Sequence, residues 1–317
     1  MASFTSLIKQ EIANNELDDC CKRAQLSALI QLTSSISIAN QKLTLLVRNE
    51  NPTTAKRIVY LLKKLYKAKT ELVVLKKNNL KKNNIYLIKT YDDCRGILED
   101  LGIYSQTKGL LSHPTYLIVA KNCCARSYLA GLFLAYGMCN SPDNKNYHLE
   151  LVLNDIEHSN FVVKLLSRFN IEAKISKRRN KYLVYLKKAD VIGDFLRVIG
   201  SNEGLYKFED SRISKDLMHS IVRIDNCEIA NEMKSLKASS KQIECIKAIK
   251  DAGRYDELDE KLKNVVDIRL KYQDYSLNEL CKAYSENYGE SISKSGLKHR
   301  LNKIESIAGS VYEGSKN

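Results

Sequence analysis

The sequence predicts an α+β chain: a pseudo-twofold domain whose halves each read helix, strand pair, helix, strand pair, helix (αββαββα), followed by an all-α module. Three observations predict it. A stretch opening on Cys20-Cys21 returns as one opening on Cys123-Cys124, with the same order of elements behind each. After about Ser240 the apolar spacing becomes purely helical. Positive charge gathers in strand pairs and on the last helix rather than spreading evenly.

The repeat comes first, because a fixed period decides architecture. Cys20-Cys21-Lys22-Arg23-Ala24-Gln25-Leu26-Ser27-Ala28-Leu29-Ile30 aligns with Cys123-Cys124-Ala125-Arg126-Ser127-Tyr128-Leu129-Ala130-Gly131-Leu132-Phe133. Alternating segments follow, Lys42 to Val47 and Tyr147 to Leu153, and read as strands. Asn49-Glu50 and Asn154-Asp155 then open helical patterns, where such side chains cap free N–H groups. Leu61-Leu62 and Leu165-Leu166 sit at matching places in those helices. Basic β-branched stretches (Thr70 to Lys77; Ala173 to Lys177), turns, second strands (Ile85 to Ile88; Tyr182 to Tyr185) and short helices (Asp92 to Leu101; Asp190 to Ile199) complete each copy. Two copies roughly a hundred residues apart fit a pseudo-twofold domain better than a solenoid, which needs three or more repeats. The organisation is a first copy at 1-102, a linker at 103-122, a second copy at 123-202, a largely helical connector at 203-238, the helical module at 239-310 and a tail at 311-317.

The formal net charge of +14 favours a polyanionic partner, since each neutralised phosphate releases counterions. A lysine-rich genome accounts for the total equally well, so placement decides. The 9 cysteines lack CxxC spacing, and the adjacent pairs make poor disulfides, so a reduced cytoplasmic protein with no metal site or cofactor is expected. The start lacks signal-peptide character, and the longest apolar run, Tyr128 to Cys139, is too short to span a bilayer, so no membrane partner is expected.

Ser27-Ala28 and Ala130-Gly131 put small residues inside apolar helices, which lets two helix axes approach closely. Glycine there costs about 1 kcal/mol against alanine, so Gly131 calls for a packing reason. Leu129-Ala130-Gly131-Leu132-Phe133-Leu134-Ala135-Tyr136-Gly137 resembles the LAGLIDADG motif of homing endonucleases, and Leu26 to Ser34 is a more degenerate copy. The resemblance implies two helices meeting at a twofold, with an acidic residue near each end holding a divalent metal for DNA cleavage. The matching positions here are Tyr136 and Thr33, neither a hard anionic ligand. Two-metal hydrolysis therefore lacks its ligands, and no catalytic residue is expected.

In the second copy Lys174, Lys177, Arg178, Arg179, Lys181, Lys187 and Lys188 cluster beside a single acid, Glu172. In the first, Lys63, Lys64, Lys67, Lys69, Lys76, Lys77, Lys81 and Lys82 are assigned to the same region. Two basic hairpins related by a twofold would track two phosphate strands, with Arg178, Arg179 and Lys181 as DNA contacts. Solvated turns are the plain alternative.

In the module, Ile243, Ile246 and Ile249 mark one helix, and Leu258 through Leu270 a second. Ser276 with Glu279 forms a capping box for a third that ends at Tyr288-Gly289. A last helix runs from about Ser293 to Ala308, with Leu297, Leu301 and Ile304 inward and Lys294, Ser295, Lys298, His299, Arg300, Asn302 and Lys303 outward. Helices joined by a glycine-containing turn, the second bearing base- and phosphate-reading side chains, describe a helix-turn-helix.

Several stretches resemble the WhiA family of sporulation and cell-division regulators: Ser3-Phe4-Thr5-Ser6 with Lys9-Gln10-Glu11, Cys123 to Leu129, Tyr147 to Glu150, Asn226 to Asn231, and Ser293 to Leu301. The match covers nearly the whole chain in order; Gly102 to Lys121 has no counterpart. It implies double-stranded DNA as partner, a nucleoid-associated location, and gene regulation linked to cell division and chromosome segregation. Two competing readings are an adaptor whose first domain binds a protein and an active endonuclease. RNA is less favoured, because the tyrosines form no stacking signature.

Overall fold

The structure, a computed structural model, describes residues 3–39, 42–76, 84–91 and 93–314. The chain divides into two compact units, Met1–Lys215 and Asp216–Asn317.

In the first unit, α1 (Phe4–Asn14) is capped by Ser3 and precedes the first copy of the repeat. That copy is α2 (Asp19–Thr33), β1 (Ser34–Ala39), β2 (Lys42–Asn49), α3 (Pro52–Tyr66), β3 (Thr70–Lys76), β4 (Asn84–Thr90) and α4 (Cys94–Asp100). The segment 103-122, expected as a linker, carries a small hairpin of β5 (Tyr104–Ser105) and β6 (Gly109–Leu110) and a 3-10 turn, Tyr116–Val119. Ile103 and Val119 are buried, and Arg168 pins the turn by donating to the Val119 and Ala120 carbonyls at 2.6 and 3.1 Å. The second copy is α5 (Asn122–Tyr136), β7 (Gly137–Cys139), β8 (Leu149–Leu153), α6 (Ile156–Ser167), β9 (Lys174–Arg178), β10 (Lys181–Leu186) and α7 (Ala189–Val198). The two antiparallel sheets have the same order, β1-β2-β4-β3 and β7-β8-β10-β9, as a repeat requires.

The caps correct one expectation. Asp155 starts α6 as expected, accepting from His158 N at 2.7 Å. In the first copy the cap is neither Asn49 nor Glu50 but Asn51, which accepts from Thr53 N and Thr54 N at 2.9 and 3.2 Å. Pro52 fixes the first helical position, and the Asn49 side chain holds the Asn51 N–H at 2.7 Å. Asp92, the expected first residue of the next helix, lies outside the described residues; Asp93 caps α4 by accepting from Gly96 N.

α2 and α5 form the most extensive helix contact of the fold. A Cβ added to Gly131 would lie 2.5 Å from the Gln25 carbonyl oxygen and 2.8 Å from the Ala28 Cβ. Backbone thus meets backbone where the sequence places its smallest residues, and the dispersion gained along both helices offsets the helix penalty of glycine. Ser27 donates to the Leu101 carbonyl at 2.8 Å, satisfying a hydroxyl buried in that seam. Both sheets and their helices share one apolar core around this pair.

α8 (Asn202–Asp251) runs through residues 203-238, the expected connector, and on without a break. Its start, in the first unit, is capped by Glu11, whose carboxylate accepts from Glu203 N at 2.8 Å, Gly204 N at 3.2 Å and Ser201 Oγ at 2.7 Å.

The second unit comprises the rest of α8, a 3-10 turn, then α9 (Glu260–Lys271), α10 (Leu277–Tyr288) and α11 (Lys294–Gly314). Its separate core joins Ile246 and Ile249 to Leu262, Val265, Leu280 and Tyr284, closed by Leu297, Leu301, Ile304 and Ala308. The capping box of α10 is formed as the sequence predicts: Ser276 N donates to Glu279 Oε2 at 2.7 Å and Glu279 N to Ser276 Oγ at 3.4 Å. Gly289 ends the helix at φ 69°, where other residues are strained. Buried Arg269 donates to the Tyr275 carbonyl at 2.8 Å and so fixes the α9–α10 turn.

Candidate nucleic-acid interface

α10, the Gly289 turn and α11 make the helix-turn-helix. Ser293 starts α11 by accepting from Gly296 N at 3.1 Å. With Leu297, Leu301, Ile304 and Ala308 in the core, the 3.6-residue period turns Ser295, Lys298, His299, Asn302 and Lys303 outward, all of them exposed; Lys294, seven residues before Leu301, is on the core side by period and is exposed because it stands in the first turn. Lys303 also lies 3.7 Å from Asp259 in an exposed pair too weak to withhold it from another anion. Arg300 departs from its expected outward place. It is half-buried, donating to the Tyr284 hydroxyl at 2.9 Å with its guanidinium 5.5 Å from that ring. One step further around the helix than its neighbours, it joins α11 to α10 and orients the exposed face.

In the second sheet, Leu149, Leu151, Val184 and Leu186 enter the core, and pairing turns Lys174, Arg178, Lys181, Leu183 and Tyr185 to the other face. Arg178 pairs with Lys181 across a two-residue turn of Arg179 and Asn180, with Arg179 at φ 56°. All three cations are exposed, and Lys181 donates to Asn154 Oδ1 at 2.6 Å. The one acid paired into this face, Glu150, is buried against His148 Nε2 at 3.0 Å.

The first sheet is not a copy of this surface. Its corresponding face carries Leu46, Val73 and Leu87 with Arg48 and Lys89, and Glu71 beside Lys89. Lys63 and Lys64 lie in the last turn of α3, and Lys67 is its left-handed C-cap, so the expected match of basic strand pairs fails for these three. α3 runs through Tyr66, so these lysines belong to a helix end and precede the strand pair. Lys77, Lys81 and Lys82 lie outside the described residues.

The two positions where a cleaving relative would place its acids are occupied otherwise. Thr33 is buried and donates to the Leu29 carbonyl at 2.6 Å. Tyr136, at the end of α5, lines a pocket with Lys9, Arg48, Asn49 and Glu50. Burial pushes the Lys9 ammonium down to about 8 and the Tyr136 phenol up. Cys20, Cys21, Cys123 and Cys124, which lack metal-ligand spacing in the sequence, come together at the other end of α2 and α5. The signal was present in the repeat itself: identical pairs at identical places in two helices that cross near a twofold must meet.

A domain of paired motif helices over two four-stranded sheets, followed by a helix-turn-helix, defines a LAGLIDADG-like protein with an appended helix-turn-helix domain. The chain belongs to the WhiA family: it matches the family's N-terminal LAGLIDADG-like domain over residues 19–104, its LAGLIDADG-like domain over 125–218 and its C-terminal HTH domain over 221–308. It is 42% identical over 312 residues to the probable cell division protein WhiA of Bacillus licheniformis, covering 98% of each chain. To the protein of that name from Bacillus thuringiensis it is 41% identical, covering 99% of this chain and 98% of the other. The crystal structure of full-length WhiA from Thermatoga maritima shares the fold at a TM-score of 0.60 and 24% identity, covering 97% of this chain and 98% of that one. Among the described residues no helix is long and apolar enough to cross a membrane.

Proposed function

We propose that the chain is a sequence-specific binder of double-stranded DNA that regulates transcription in connection with cell division and chromosome segregation, acts at the nucleoid, and does not cleave its target. The observation that carries this reading is the exposed face of α11. Ser295, Lys298, His299, Asn302 and Lys303 stand on the exposed side of a helix whose other side is locked into a core, with Lys294 exposed in its first turn. The start of such a helix reads base edges in the major groove, while flanking cations hold phosphates. Arg178, Arg179 and Lys181 add phosphate contacts from the first unit. Arg300 serves as the residue that positions α11, not as a base reader. The hydroxyl of Thr33 and the phenol of Tyr136 support the absence of cleavage, since neither supplies the charge a hard divalent ion needs. The relatives' printed name supports the link to division.

Genome-wide mapping of bound DNA tests this, with a Lys298→Ala, His299→Ala double variant beside the unaltered chain. Discrete peaks are expected for the unaltered chain and their loss in the variant; peaks retained in the variant remove α11 from the account. Incubation with its own bound DNA and Mg²⁺ is expected to leave the duplex whole, and cleavage at one position reverses the non-nuclease reading. A second reading, a protein partner on the first unit, has its own observation: edge strand β3 leaves Leu72, Val74 and Leu75 about half exposed. Leu75→Lys is expected to leave DNA affinity unchanged, while abolishing any such association in pull-downs.

A further inference from the structure

The sulfurs of Cys20, Cys21, Cys123 and Cys124 all lie within 4.8 Å of one another. These four are a meeting of two pairs from sequence-distant helices, one from each copy of the repeat. Cys21 and Cys124 are buried, Cys20 is half-buried and Cys123 is exposed. Four sulfurs bound tetrahedrally at about 2.3 Å from an ion are about 3.8 Å apart, so closing this cluster on a cation asks each side chain for less than about 1 Å of movement. Among the described residues no other set of three or more His, Cys, Asp or Glu side chains comes so close together.

Positive charge stands near the cluster. The cysteines occupy the second and third positions of α2 and α5, in the first turn of each. Neither N-cap residue, Asp18 or Lys121, makes a side-chain cap hydrogen bond, and the four cysteines stand at the positive ends of the two helix dipoles. Arg126 and Arg197 line the pocket that Cys21 and Cys123 share. An ion has a way in past Cys123, and the buried pair gives it a dry floor. A disulfide within either pair is geometrically poor, because the residues are adjacent.

We propose that Cys20, Cys21, Cys123 and Cys124 form a tetrathiolate site for zinc that joins the starts of the two motif helices. Binding is a ligand exchange without redox change: the thiols release their protons to solvent as the four Zn–S bonds form. Zinc fits because it accepts a closed four-sulfur tetrahedron and adds no redox chemistry to a reduced compartment. The free energy of binding becomes cohesion between the two copies of the repeat.

The test uses the full chain purified under reducing conditions, with metal content measured by mass spectrometry. About one zinc per chain is expected, falling below about a tenth of that in a Cys20→Ser, Cys123→Ser double variant. These two sites are the less buried half of the cluster, and circular dichroism checks that the variant keeps its helices. Exchange into cobalt(II) gives a second readout that needs no variant: the unaltered chain is expected to show thiolate-to-cobalt charge transfer and tetrahedral d–d bands, both absent from the variant. A chelator is expected to lower the melting temperature of the unaltered chain and leave that of the variant in place. An unaltered chain that neither contains zinc nor takes it up on reconstitution overturns the proposal. So do equal zinc in chain and variant, iron as the dominant metal, or disulfides linking the two pairs in a glutathione buffer poised like a cytosol.

Discussion

Both copies pair a buried polar residue at the matching place in their motif helix, Gln25 or Tyr128, with a basic residue of the next helix, but they take it from places one turn apart and make it from different chemistry. In the first, Gln25 of α2 accepts from Arg57 Nε of α3 at 2.8 Å, and Arg57 Nη2 donates to the Asn15 carbonyl at 3.0 Å. In the second, Tyr128 of α5 lies 2.8 Å from His158 Nε2 of α6. Burial lowers both bases, but the arginine stays a cation while the histidine is pushed down to about 4 and stays neutral. The fold asks only that the polar atoms at this junction be paired. The residues themselves have diverged, and with them the response to pH. The same holds on the sheets, where one copy shows cations and the other a mostly apolar face.

The largest expected effect breaks the one place where the copies must fit together. Gly131→Val drives a side chain into the Gln25 carbonyl and is expected to cost more than about 3 kcal/mol, against about 1 kcal/mol for Ala28→Gly at the matching position. Urea unfolding followed by far-UV circular dichroism measures both, since the chain has no tryptophan. Equal costs mean that the backbones do not touch there.

Next comes pH. His158 has a folded value of about 4 against 6.5 for the free side chain, so between those values the unfolded chain binds the extra proton. Stability is then full above about pH 6.5 and is lost as pH falls toward 4, by about 3 kcal/mol in all. Burial is the main cause, and the electrostatic influence of His113 acts in the same direction. His158→Gln is expected to flatten this limb of the unfolding curve, whereas Arg57→Gln leaves it unchanged. An unaltered limb in His158→Gln puts the titrating group elsewhere.

A smaller effect separates the two sheets. Reversing Arg178, Arg179 and Lys181 to glutamate is expected to weaken duplex binding about tenfold to a hundredfold near physiological salt and to flatten the salt dependence by about one unit per lost contact. Reversing Arg48 and Lys89, which face the same way on the first sheet, is expected to change it less than about threefold. Matching losses in fluorescence anisotropy restore the two equivalent basic hairpins that the lysine runs imply. The smallest effect lies in the seam: Ser27→Ala leaves the Leu101 carbonyl unpaired for about 1 kcal/mol, a bond that Ala130 in the second copy never makes. An unchanged urea midpoint shows the bond is worth nothing there.

These contrasts mark how far the sequence could be read. The order of elements, the close approach at Gly131, the capping box at Ser276 and the left-handed Gly289 all follow from local chemistry, and all are in place. Asn51 was legible too, since a proline right after it marks the start of a helix. What escaped depends on distant partners. Arg300 leaves the exposed face because Tyr284 offers its hydroxyl and ring, which no periodicity within α11 reveals. The lysines of α3 look like part of a basic strand pair until the helix end at Lys67 separates them. The grouped cysteines need the fold of both copies before they meet.

The bonds from Glu11 to the start of α8 have a consequence for biosynthesis. The carboxylate that caps residues 203 and 204 leaves the ribosome some 190 residues before its partners do. Helix α1 must wait through the making of both copies before its last contacts exist. Segments made early in such folds stay open to chaperones and proteases while synthesis proceeds. A chain stalled before residue 204 is expected to hold its first helix loosely, and one released beyond it to seal in a single late step.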